Sequence, residues 1–197
     1  ELADLADASI AAGLRAVEAA HGVGGSLTVI AMGKLGGREL NFSSDVDLLF
    51  AHGGAHGGEA RATRLDRAVT SLRGLLSETN EEGFVFRVDL DLRPDGRTGP
   101  LVSPADALVD FYESFGRTWE RVAWIRARPC AGDLELGARI VSELVPFVYR
   151  RYGSYDVIQN VREVKQRIES DARDAARNVK LGPGGIREAE FVVQALQ

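Results

Sequence analysis

The residue types most able to do chemistry in this chain are two aspartates one residue apart, Asp45 and Asp47, behind the glycine-rich run Gly33-Lys34-Leu35-Gly36-Gly37. Asp45 and Asp47 open an apolar stretch, Val46 to Phe50, that reads as a strand. Residues i and i+2 of a strand share a face, so the two carboxylates project side by side while Val46 and Leu48 turn into a core. Like charges that close disfavour double ionisation unless a cation lies between them, and carboxylate oxygens at that spacing suit Mg²⁺. Gly33, Gly36 and Gly37 permit tight turns and close backbone approach, and with Lys34 they suit a phosphate cradle. A phosphate cradle beside a carboxylate metal site is the apparatus of phosphoryl or nucleotidyl transfer. The same residues also fit a glycine-turn hairpin with two solvated aspartates, although aspartates leading into so apolar a strand are poorly placed for idle solvation.

A second polar face lies further along. Phe84 to Arg93 alternates, with Phe86, Val88, Leu90 and Leu92 on one side and Arg87, Asp89, Asp91 and Arg93 on the other. Alternation predicts a half-buried strand. Its polar face suits a third metal carboxylate beside phosphate-binding arginines, and equally a salt-bridged solvent face.

The elements that must position these groups follow from pattern. Leu5, Ile10, Leu14 and Val17 predict a first helix ended by the glycines after His21. Leu27 to Ala31 predicts the first strand, residues 52–58 a flexible loop, and Arg64 to Ser77 an amphipathic helix. Pro94 to Pro100 is a turn cluster, and Leu101-Val102 a short edge strand. From Ser103 the pattern is helical: a run to about Phe115, Arg117 to Arg128 as a packing helix with an ion-pair face, a helix from Gly132-Asp133 to about Tyr149, a charged helix over 156–178, and an apolar element after Gly182-Pro183-Gly184-Gly185. The expected organisation is α+β: residues 1–102 an α/β core with an N-terminal helix, residues 103–197 an all-helical segment cut at its C-terminal end.

Composition narrows the class. With 45% apolar and 27% charged residues the chain is an ordinary globular protein, and its net charge of −5 gives no basic signature for nucleic acid. No apolar run reaches the length of a membrane span, so no membrane partner is expected. One cysteine, Cys130, allows no internal disulfide, fits a cytoplasmic setting, and reads as a packed residue rather than a nucleophile. The three histidines, His21, His52 and His56, read as sitting in glycine-rich loops without zinc-ligand spacing. Glu1 is not a start residue, which implies a longer parent chain.

Gly33 to Asp47, Phe86 to Pro94 with Gly99-Pro100-Leu101, Trp119-Glu120-Arg121 with Ala127-Arg128, and Lys180 to Phe191 together resemble the polymerase-β-type nucleotidyltransferases. More narrowly, they resemble the glutamine synthetase adenylyltransferase/adenylyl-removing family. The resemblance implies a polymerase-β-like sheet with helices. Asn-Phe-Ser-Ser-Asp at 41–45 and Gly-Gly-Ile-Arg-Glu at 184–188 are similar to the N-terminal, adenylyl-removing domain of that family. The implied activity is phosphorolytic removal of AMP from a tyrosine of glutamine synthetase, releasing ADP. The alternatives are ATP-dependent adenylyl transfer to the same protein and a catalytically silent nucleotide-binding regulatory module. By the same resemblance Asp45, Asp47 and Asp89 would bind Mg²⁺ or Mn²⁺, and Gly33, Lys34, Ser44 and Arg93 would lie against phosphate or nucleotide. Arg187 and Glu188 would close the site or simply cap a helix. Asp91 departs from the family pattern, where arginine is common. Implied partners are glutamine synthetase, phosphate, AMP/ADP or ATP, and a PII-type signalling protein acting through the full-length enzyme.

Overall fold

A computed structural model describes residues 1–54, 58–149 and 193. His56, the helix expected over 156–178, the glycine break at 182–185, Arg187, Glu188 and the apolar element expected from Ile186 lie outside the described residues, Val193 excepted.

The fold is α+β. Helix α1 (Leu2–His21) ends at Gly22 in the left-handed conformation, φ +65°. It leads to β1 (Leu27–Ala31), a one-turn helix α2 (Gly33–Gly36), β2 (Val46–His52) and helix α3 (Gly58–Ser77). A two-residue strand β3 (Val88–Asp89) and β4 (Val102–Pro104) follow, then α4 (Ala105–Phe115), α5 (Thr118–Trp124), β5 (Arg128–Gly132), α6 (Leu134–Glu143) and α7 (Val145–Val148). The sheet runs β3-β2-β1-β5, with β4 also on β2. β1 is antiparallel to β2 and β5, whereas β3 and β4 are parallel to β2. Among the described residues no helix is long and apolar enough to cross a membrane.

Both faces of β1 and β2 are covered, which explains why these strands are almost continuously apolar. Val29, Ala31, Val46, Leu48 and Phe50 meet α1 and α3 on one side. Ile30, Leu49 and Ala51 meet Leu108, Tyr112, Trp124, Ile140 and Phe147 on the other. The expected turn of Val46 and Leu48 into a core is found, and the face that carries Asp47 is itself apolar one step further along the strand. In α1 the buried stripe is Ala3, Ala6, Ile10, Leu14 and Val17; Leu5, expected on it, is 57% exposed, because it falls off the 3.6-residue repeat.

Three segments differ from the sequence reading. The long strand expected over Phe84–Arg93 shrinks to β3. Its backbone is drawn into other bonds: Val85 and Phe86 N–H both donate to Leu76 O, and Val88 N–H donates to Ser77 Oγ at 3.2 Å. The chain then turns, with Asp91 N–H donating to Asp89 Oδ1 at 2.7 Å, and Leu92 crosses to the second core, where the Tyr112 hydroxyl donates to its carbonyl. The helix expected to reach Arg128 stops at Trp124, and residues 128–132 are the edge strand β5, a position that tolerates Pro129. The helix expected to run to Tyr149 divides at Leu144, where Pro146 in the first turn of α7 prevents continuation.

Two side chains of this region lock the fold. Arg128 donates from Nε to Gly36 O at 3.1 Å and from Nη2 to Leu35 O at 3.1 Å, and pairs with Asp7 at 2.9 Å, with both side chains largely shielded. Arg128→Met is expected to cost about 2–3 kcal/mol, since it orphans a shielded carboxylate and two carbonyls. Chemical denaturation would register this as a lower midpoint at unchanged slope. Glu120 accepts from Arg117 N–H at 2.7 Å and closes the start of α5. Burial raises its pKa, outweighing the backbone bond from Arg117 and the Arg117 charge that lower it. A carboxylate with a raised folded-state pKa contributes stability at low pH that is lost as pH rises through that pKa. Glu120→Gln keeps the acceptor and removes the titration, so its melting temperature relative to wild type should increase between about pH 4 and about pH 8.

Candidate active site

Two of the three aspartates singled out from sequence meet at one end of the β2–β3 pair, and the third lies just ahead of it. Asp47 and Asp89 are in-register neighbours on parallel strands, and Asp45 directly precedes β2. Val46 N–H donates to Arg87 O at 2.8 Å, and Met32 N–H donates to Asp47 O at 2.9 Å. The backbone carrying Asp47 is thus held from the β1–α2 side as well as from β3.

The glycine turn is the short helix α2, and its first residue must be glycine. Gly33 has φ +53°, and a Cβ there would run into the Asp47 carboxylate. Gly36 is required for another reason, since a Cβ would meet the backbone carbonyls of Arg126 and Ala31. Lys34 is half-buried on α2. Ser44 gives its hydroxyl to Asn41 Oδ1 within its own loop. Arg93 donates to Leu90 O at 2.7 Å and to Gly99 O at 3.2 Å, so in this state its guanidinium holds the 90–99 loop closed.

Asp45 does not stand beside Asp47 as a ready ligand. Its carboxylate is paired with the Arg87 guanidinium, which also donates to Ser43 O and lies 5.9 Å from the centre of the Phe84 ring. Among the described residues no group of three or more His, Cys, Asp or Glu side chains is gathered closely enough to hold a metal. The donor set still fits a hard divalent cation: it is all carboxylate oxygen, two donors are adjacent in register, and the missing Cβ of Gly33 leaves room against Asp47.

A cleft of about 640 Å³ opens between the β3 edge, α3 and the 90–101 loop, with Asp45, Asp89 and Asp91 on its walls. Arg73, Arg87, Arg93 and Arg97 line it too, giving it the cations an oxyanion needs. Arg97 pairs with Asp91 at 2.8 Å, which occupies the carboxylate that departs from the expected pattern. Arg73 was not visible from sequence, since an arginine on the polar face of α3 carries no distinguishing signal.

Other candidates lie elsewhere. Cys130 is on β5, and burial, reinforced by Asp7, pushes its thiol up to about 12, which suits packing and not nucleophilic attack. His21 closes α1, with Nε2 2.9 Å from Ser71 Oγ, and His52 is the buried last residue of β2, so each belongs to an element and not to a loop.

Comparison with known proteins shows the family. Residues 156–197 match a family model described as PII-uridylyltransferase. The bifunctional glutamine synthetase adenylyltransferase/adenylyl-removing enzyme of Nitrosococcus oceani is 47% identical over 182 residues, covering 87% of this chain and 19% of that protein. The protein of the same name from Thioalkalivibrio sulfidiphilus is 50% identical over 179 residues, covering 87% and 18%. That from Pseudomonas syringae pv. tomato is 41% identical over 219 residues, covering 100% and 22%. The chain spans about a fifth of the length of these relatives. Residues 2–143, which include the aspartates, the glycine turn and the cleft, match the model described as glutamate-ammonia ligase adenylyltransferase, and the chain belongs to that family.

Proposed function

We propose that this chain is the adenylyl-removing nucleotidyltransferase unit of a longer polypeptide, and that it releases AMP from a modified tyrosine of glutamine synthetase by phosphorolysis. The observation that carries the reading is that Asp89, the in-register neighbour of Asp47 across β2 and β3, lines an arginine-rich cleft together with Asp45. The relatives are named for both adenylylation and its removal. The direction proposed here follows the Asn-Phe-Ser-Ser-Asp sequence at 41–45.

In this reading an oxygen of inorganic phosphate attacks the AMP phosphorus in line. The new P–O bond makes ADP, and the bond to the tyrosine oxygen breaks with its electron pair leaving on the phenolate. Asp45, Asp47 and Asp89 would hold a divalent cation, Mg²⁺ or Mn²⁺, which supplies charge stabilisation at the transferring phosphoryl group. Phosphate is largely ionised at neutral pH, so no side chain needs to act as a strong base. Gly33 and Lys34 face the transferred nucleotide from α2, and the cleft arginines neutralise the oxyanions. Arg93 and Ser44 contribute by fixing the two loops that border the cleft. The match of residues 156–197 supports a PII-type signalling protein as regulator of the full-length enzyme, and a cytoplasmic setting accords with that chemistry.

The test is product identification. The chain is incubated with adenylylated glutamine synthetase, Mg²⁺ and phosphate, and separately with unmodified glutamine synthetase and ATP. ADP from the first reaction alone is expected. Pyrophosphate from the second would reverse the direction, and nucleotide binding without either product would make the chain a silent module. Asp47→Asn is expected to reduce ADP release by at least about a hundredfold with the melting temperature nearly unchanged. Turnover close to wild type in that variant would remove Asp47 from the machinery.

A further inference from the structure

We propose that Arg87 is a positioning residue that changes partners during the cycle: it holds the Asp45 carboxylate until a divalent cation takes that carboxylate, and it then turns its guanidinium to the phosphate oxyanion in the cleft. The inference rests on the metal-dependent phosphorolysis proposed above.

The starting arrangement is explicit. Arg87 donates from Nε to Asp45 Oδ1 and from Nη2 to Ser43 O, so one guanidinium ties down both the carboxylate and the loop that carries it. The pair engages the Asp45 carboxylate with a guanidinium, the group a cation would have to displace to use it. Both side chains of the pair are 51% exposed, and an ion pair that wet is weak and readily exchanged. A divalent cation with two further carboxylates at Asp47 and Asp89 competes for Asp45 more strongly than one guanidinium does.

The backbone does not have to move for the exchange. Val46 N–H bonds to Arg87 O, which keeps the two chains side by side while the long side chain swings. Arg87 already lines the cleft. Of the other lining arginines, Arg93 is committed to two carbonyls and Arg97 to Asp91, while Arg73 lines the cleft from α3 and would share the oxyanion with Arg87. Once the cation is bound, a guanidinium beside it is repelled unless an anion lies between them, and an oxyanion shared by metal and Arg87 meets that condition. Metal and phosphate should therefore bind with positive coupling, each raising the affinity of the other.

The exchange predicts effects of opposite sign from one substitution. Arg87→Gln removes the competitor for Asp45, so Mn²⁺ titrated into the chain and read by electron paramagnetic resonance should bind roughly two- to fivefold more tightly than in wild type. The same variant in saturating Mg²⁺ should bind inorganic phosphate roughly tenfold more weakly by calorimetry. A purely structural clamp on the 41–45 loop would instead weaken metal binding. Arg87→Lys, which keeps the charge but not the planar fork, serves if the glutamine variant is unstable: its Mn²⁺ affinity should stay near wild type while phosphate binding falls several-fold. Metal affinity in Arg87→Gln equal to or below wild type overturns the proposal, as does undiminished phosphate affinity in both variants. Asp45→Asn separates this failure from that of the underlying reading. If it leaves Mn²⁺ binding intact, or if the wild-type chain binds no Mn²⁺, the metal site itself falls and the exchange with it.

Discussion

The guanidinium of Arg128 is the contact on which the geometry of the site depends. It donates to the last two carbonyls of α2, Leu35 O and Gly36 O, and pairs with Asp7 on α1. A one-turn helix cannot stabilise itself, because its nucleus costs more order than its hydrogen bonds return. α2 therefore takes its place from what it is fixed to. Arg128 fixes its end, the backbone of Arg126 and Ala31 closes on Gly36 where no side chain fits, and its start is thereby set over Asp47 at Gly33. The arginine reaches this position only because residues 128–132 return to the sheet as β5 beside β1. A residue remote in sequence from the glycine turn thus decides where that turn sits.

The sheet sets the second constraint. β2 is the shared partner of β1, β3 and β4, and it is buried on both faces. Its first residues are the ones at which the second core has ended, so Asp47 can be polar while Leu49 and Ala51 on the same face cannot. β3 and β4 both run parallel to β2. The residues between them must leave the sheet and return, and the 90–101 loop made by that detour is the outer wall of the cleft. The binding space is a consequence of the topology rather than of any one side chain.

This division explains what could be read from sequence. β1, α3 and the apolar run of β2 with Asp47 near its start were legible because their signals are local: an apolar run, a 3.6-residue stripe, a carboxylate leading into a buried strand. Asp89 was legible by its alternation with Val88 and Leu90 even though the strand proved only two residues long. That shortening was hidden, since it follows from Leu76 and Ser77 taking the N–H groups of residues 85, 86 and 88. β5 was hidden too. Arg-Pro-Cys-Ala-Gly has no alternation and a proline, and only an edge position beside β1 makes it a strand. The engagement of Arg93 with backbone, and the arrival of Arg73 at the cleft, are tertiary facts with no local signature.

The two carboxylates of Asp-x-Asp, equivalent on a strand diagram, are physically unlike. Asp47 sits inside the strand with its carbonyl held by Met32 N–H, half-buried beneath Gly33. Its carboxylate has little freedom to leave. Asp45 precedes the strand, half-exposed, at the end of a loop in which Ser43 takes a left-handed φ of +60°. Its carboxylate is held by a side chain rather than by the sheet. A cation that needs both must therefore use Asp47 as a fixed point and recruit Asp45 to it. The cost of that recruitment is the exchange of one water-exposed ion pair, which is small. The reverse arrangement, with the buried carboxylate as the mobile one, would require opening the β2–α2 contact that Arg128 maintains. The fold accordingly places adjustability at the solvent rim and rigidity against the core.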